Sequence, residues 1–166
     1  MAAKTDFTPE EWKTILESVM MAGIAVTAAD PSGLWGTLKE SLASARAIVG
    51  VEHDPNATEL IKALAAEFET GEGRTTARDG LRSQLSGKSP PEMISKSLEV
   101  LKEAADIVTA KAPSESGAFK GWLKQISQSV AEASTEGGFL GFGGVSVSEA
   151  EKATLAQISS SLGLTA

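Results

Sequence analysis

Any chemistry in this chain would come from one histidine and from carboxylates, because its 166 residues include no cysteine. His53 stands beside Asp54, so a Ser-His-Asp arrangement is formally available. No G-x-S-x-G elbow accompanies it, and Val51-Glu52-His53-Asp54-Pro55 reads as a polar connector, which makes His53 a solvated loop residue. Zinc sites of the usual kind need several His or Cys ligands, and di-iron bundles need Glu-x-x-His motifs; neither set is present. Asp30-Pro31-Ser32-Gly33 has an acidic start and a glycine turn. It lacks the alternating Asp and Asn ligands and the closing Glu of an EF-hand, so on its residues alone it reads as a helix-capping turn. The inventory predicts a protein that is not an enzyme.

Glycine and large apolar side chains alternate in Gly137-Gly138-Phe139-Leu140-Gly141-Phe142-Gly143-Gly144, just before a capped helix start. Backbone N–H groups at such a place attract anions. The helix that follows opens with Glu149 and Glu151, however, and their charges repel phosphate. Two readings remain: an apolar lid in which Phe139, Leu140 and Phe142 tuck into the fold, or an exposed contact loop. The lid is favoured, since exposed phenylalanines on a loop invite aggregation.

A formal net charge of −7 opposes a nucleic-acid partner, and Lys and Arg read as scattered, with no basic stripe. No apolar h-region opens the chain and no run of about 18 apolar residues occurs in it, so neither a secretion signal nor a membrane span is expected. The absence of cysteine removes any need for an oxidising compartment. These features predict a soluble, cytoplasmic protein with no membrane partner. Its length suits one domain over residues 1–166, preceded by a flexible lead at 1–7.

The elements that would position these residues are helices. Thr8-Pro9-Glu10-Glu11 combines an N-cap, a first-turn proline and a capping-box glutamate, with Phe7 and Trp12 at the staple positions, and predicts a helix from 9 to 29. Trp12, Ile15, Leu16, Val19, Met20 and Ile24 form its apolar face, and Ser18, Ala22, Ala25 and Ala29 a stripe that admits a close neighbour. A second helix through Leu34, Trp35, Leu38, Leu42 and Ile48 should stop near Gly50. A third, capped by Asn56, carries Leu60, Ile61, Leu64 and Phe68 and ends at Gly71 and Gly73. One short helix is expected at 75–86, and Ser89-Pro90-Pro91-Glu92 opens a long one. Pro113 breaks the chain before a helix at 115–135. Ser146 with Glu149 and Ser148 with Glu151 both fit the cap of a last helix, which carries Ala150, Leu155, Ile158 and Leu162 and ends at Gly163. The outcome is an all-α bundle of six to seven helices.

Two corners share an order: Met21 through Ala29-Asp30-Pro31-Ser32-Gly33 into Lys39-Glu40, and Val130 through Glu136-Gly137-Gly138 to Ser148-Glu149-Ala150-Glu151, closing on Leu155-Ala156-Gln157-Ile158 and Leu162-Gly163-Leu164. This plan resembles the TerB-like tellurite-resistance family at the two ends of the chain. The resemblance implies a helical stress-response protein whose acidic side chains bind a divalent cation weakly. The ligands it implies are Asp30, Glu136, Glu149 and Glu151. Pro31 stands where the family has the first turn's glycine, and Gly143-Gly144 where it has the second turn's Asp-Gly. The alternative is an interaction module, a homo-oligomer or a binder of another protein, using the small-residue helix face or the Gly137–Gly144 loop.

Overall fold

The computed structural model describes residues 2–29, 48, 50–53, 57–135 and 147–164. These residues form an all-α bundle around one hydrophobic core. Its helices are α1 (Pro9–Ala29), α2 (Glu59–Glu69), α3 (Gly71–Leu85), α4 (Pro90–Lys111), α5 (Pro113–Thr135) and α6 (Glu149–Ser161), with 3-10 turns at Lys4–Asp6 and Gly50–His53. Of the helix predicted between 30 and 50, only Ile48, which is buried, and Gly50, which is exposed, fall among the described residues. The glycine segment 137–144 lies outside them, as does Asn56.

Local chemistry starts α1 as its sequence demands. The Thr8 N–H donates to the Glu11 carboxylate (2.8 Å), and the Glu11 N–H donates to the Thr8 hydroxyl (3.2 Å). Phe7 and Trp12 meet across the cap with ring centroids 5.8 Å apart. The lead before the cap touches the core at Ala2 and Phe7, with residues 3–6 between them exposed. Ala2 and Phe7 are buried, and the Ala2 N–H donates to Glu115 on α5.

Helix α1 is the centre of the bundle, packing most extensively on α4 and also on α5, α3 and α6. Its buried arc is wider than one amphipathic face, because Ile15, Leu16, Glu17, Ser18 and Val19 are all buried in succession. The arc is also turned toward the small residues. Met21 is wholly buried, while Met20 and Ile24 are only partly so. Ser18, Ala22 and Ala25 have no exposed surface, and the Ser127 hydroxyl of α5 reaches the Ala22 carbonyl (2.9 Å). Three of the stripe's four residues are therefore packed inside the chain, and Ala29 is partly exposed.

The α2–α3 corner departs from the expected one. Gly71 and Gly73 do not end α2; they open α3, which begins four residues earlier than predicted. Thr70 closes one helix and caps the next, donating its hydroxyl to the Glu67 carbonyl (2.8 Å) and accepting the Gly73 N–H (2.9 Å). A Cβ on Gly73 would lie 2.1 Å from the Glu67 carbonyl oxygen, so only glycine lets the two helix ends approach. At the other end of α2 the cap is Thr58, whose side chain accepts from the Ile61 N–H.

Prolines and capping boxes set the remaining boundaries. Ser89 donates its N–H (2.8 Å) and hydroxyl (2.6 Å) to Glu92 at the start of α4. Ala112 alone separates α4 from α5, as Pro113 requires by excluding helical geometry before it. At α6 the cap is Ser148 with Glu151, and Gly163 ends the helix at φ 67°. Ile158 and Leu162 are buried as predicted, whereas Ala150 is exposed, being in the first turn beyond the core.

Gly73→Ala is expected to cost about 1–3 kcal/mol, the range for forced overpacking, because the backbone carbonyl it meets cannot move aside. Gly71→Ala, with nothing within 4 Å of the new methyl, should be tolerated. Urea denaturation of the two variants checks the pair; equal midpoints would refute the close-approach account.

Candidate functional site

Of the four carboxylates proposed as metal ligands, two fall among the described residues. Glu149 is exposed and pairs with Lys152 at 2.7 Å. Glu151 is buried, and its carboxylate accepts the Ser148 N–H at 2.8 Å within the capping box. Asp30 and Glu136 lie outside the described residues, as do Asp54 and the side chain of His53. No group of three Asp, Glu, His or Cys side chains able to hold an ion occurs among the described residues.

The structure singles out a different carboxylate. Glu17, in the middle of α1, is only 2% exposed. The Gln84 side chain of α3 donates to its Oε2. Its Oε1 has no hydrogen bond, and Lys13 Nζ stands 3.7 Å away, near enough to pair in charge but too far to donate. Gly80 of α3 makes the room: a Cβ there would fall 1.7 Å from Oε1. The carboxylate thus occupies a space defined by the missing side chain of a facing helix.

Two buried carboxylates shift in opposite directions, because their hydrogen-bond partners differ. Burial raises the pKa of Glu17 most, Glu103 adds like-charge repulsion, and the opposing help from Lys13 and Gln84 does not cancel them. For Glu115 burial also pushes upward. The N–H groups of Leu60 (2.9 Å) and Ala2 and the Thr58 hydroxyl outweigh it, holding the group below the usual carboxylate range. Glu115 ties the chain's lead and the α2 start to α5; Glu17 lies buried beside Gln84 with its pKa raised. Gln84 also lines an open groove of about 490 Å³ with Lys88, Glu92, Lys96 and Glu99, whose mixed charges partly pair, Lys96 with Glu99 at 2.9 Å.

Helix α3 also carries a basic stripe that corrects the reading of scattered cations. Arg74, Arg78 and Arg82 are spaced at four residues and all exposed. Their spacing is legible in the sequence, but a helix begun at 75 separates Arg74 from the others. Glu17 had no such signal: a glutamate one position from the apolar stripe reads as solvated until α3 and α4 are placed against it.

Comparison with family models, curated proteins and solved structures finds no match to this chain. No described helix is long and apolar enough to cross a membrane.

Two measurements test the Glu17 site. Gly80→Ala is expected to destabilise the protein by about 1–3 kcal/mol, yet to be neutral or stabilising in a Glu17→Ala background, where the helix-propensity gain of about 1 kcal/mol is free to act. Additive effects in a denaturation cycle would show that the two residues do not share the space.

The pH dependence follows from the sign of each shift. With its pKa raised on folding, Glu17 contributes stability present below the unfolded carboxylate's pKa and lost as pH rises through the folded value. Glu115, with a lowered pKa, contributes stability present above the unfolded value and lost as pH falls through the folded one. Glu17→Gln should therefore raise the melting temperature at neutral pH, with the gain shrinking toward acid. A variant equally or less stable than its parent at pH 7 would contradict this.

Proposed function

We propose that this protein works by binding another protein and not by catalysis, a non-enzymatic helical module serving cytoplasmic stress response, as the TerB-like resemblance implies. The observation that supports the reading is how its buried polar side chains are employed. Ser127 ties α5 to the Ala22 carbonyl of α1, Glu115 clamps the lead and the α2 start, and Glu151 closes the cap of α6. Groups of this kind make a rigid scaffold, and such a scaffold presents fixed surface charges for recognition.

A cation role for Asp30, Glu136, Glu149 and Glu151 rests on the resemblance alone; Glu149 pairs with Lys152 and Glu151 accepts the Ser148 N–H. Calorimetric titration with calcium, magnesium and zinc decides it: no heat and no change in melting temperature would remove the cation role. Cross-linking in the source cells, read by mass spectrometry, tests the binding role. One partner joined at fixed positions is expected; a chain that yields only dispersed, sub-stoichiometric cross-links would overturn it.

A further inference from the structure

Three of the chain's four arginines lie on α3, although lysine is its commoner cation. At positions 74, 78 and 82 they follow one side of the helix over about 12 Å, taking 1.5 Å per residue. Arg74 turns one Nη toward the carbonyls of Phe68 and Glu69, both at 2.9 Å, which anchors the stripe to the end of α2. Arg78 and Arg82 pair with no carboxylate among the described residues, though Asp79 lies between them in sequence. Two guanidinium groups with no partner among the described residues, in a chain of net charge −7, form a localised positive face on an acidic protein.

We propose that this α3 arginine face docks an acidic segment of a protein partner, whose carboxylates recur at helical spacing. The proposal rests on the protein-binding reading above and names its site and its partner's chemistry. Guanidinium groups present a planar fork that matches a carboxylate with two parallel hydrogen bonds, which an ammonium cannot do. A polyanion fits less well, because the chain's net negative charge repels a continuous phosphate backbone or an anionic bilayer.

The test is fluorescence anisotropy at low salt with the full chain and a labelled helical peptide carrying three glutamates at four-residue intervals, against the same peptide with glutamines. The glutamate peptide should bind at least about tenfold more tightly, a difference of about 1.4 kcal/mol. Arg78→Gln with Arg82→Gln should abolish that preference while circular dichroism and melting temperature stay those of the parent, as expected for exposed positions. Arg78→Lys with Arg82→Lys keeps the charge and should still lose severalfold in affinity. Lys120→Gln with Lys152→Gln, away from α3, should leave binding unchanged.

Equal binding of the two peptides overturns the proposal, as does unchanged binding by the double lysine variant. Tighter binding of a single-stranded oligonucleotide, or of phosphatidylcholine vesicles containing phosphatidylserine, overturns it in favour of a polyanion. If the cellular cross-links to one partner persist in the Arg78→Gln, Arg82→Gln chain, the α3 face is wrong while the binding role stands. If they are absent from the parent as well, both fall.

Discussion

A helix covered on nearly all sides must have its polar groups satisfied by its neighbours, and α1 is such a helix. Five consecutive residues, from Ile15 to Val19, are buried, which is more than one full turn. Each large apolar side chain enclosed there contributes about 1.5–3 kcal/mol relative to exposure. Enclosure also brings in Glu17 and Ser18, which α1 cannot turn toward water. Ser18 bonds back to the Ile15 carbonyl (2.7 Å), the local solution open to a hydroxyl. Glu17 has no local solution, so α3 supplies Gln84 as a donor and Gly80 as space.

The same constraint shapes the helices around α1. Close approach on its small-residue side lets Ser127 of α5 reach a backbone carbonyl of α1, and Ser97 of α4 lies 3.3 Å from the Met21 sulfur. Burial of a carboxylate has no single consequence in this setting. Glu115 is met by backbone N–H donors and stays ionised at a helix junction; Glu17 receives one side-chain donor and a solvated lysine. Lys13 is half exposed, so water screens much of its attraction. Side-chain donors can move away, whereas N–H groups at a helix start are fixed, and this decides which carboxylate resists protonation.

Helix α3 stands apart in composition and in use. Its inner side is nearly bare, with Gly73, Ala77 and Gly80 against its neighbours, and bulk returns only at Leu81 and Leu85. Small inner residues let it lie close to the end of α2 and to Glu17. Its outer side carries the arginines. Among the described residues, one helix therefore joins the most buried acidic group, Glu17, to a stripe of three arginines, with Gln84 on the path between core and groove.

Helix starts and stops were legible wherever they depend on neighbours in sequence. Thr8 with Glu11, Ser89 with Glu92, Pro113 and Gly163 act through bonds or backbone limits within a few residues, and α1, α4, α5 and the end of α6 follow from them. Thr70 was equally local, but two glycines beside it suggested a break and not a start. Only the tertiary structure decided which arc of α1 is buried, that the small-residue stripe faces α5, and that Glu17 loses its water. Those outcomes depend on helices brought together from distant parts of the chain, and burial is a property of the assembled surface that no short stretch of sequence contains.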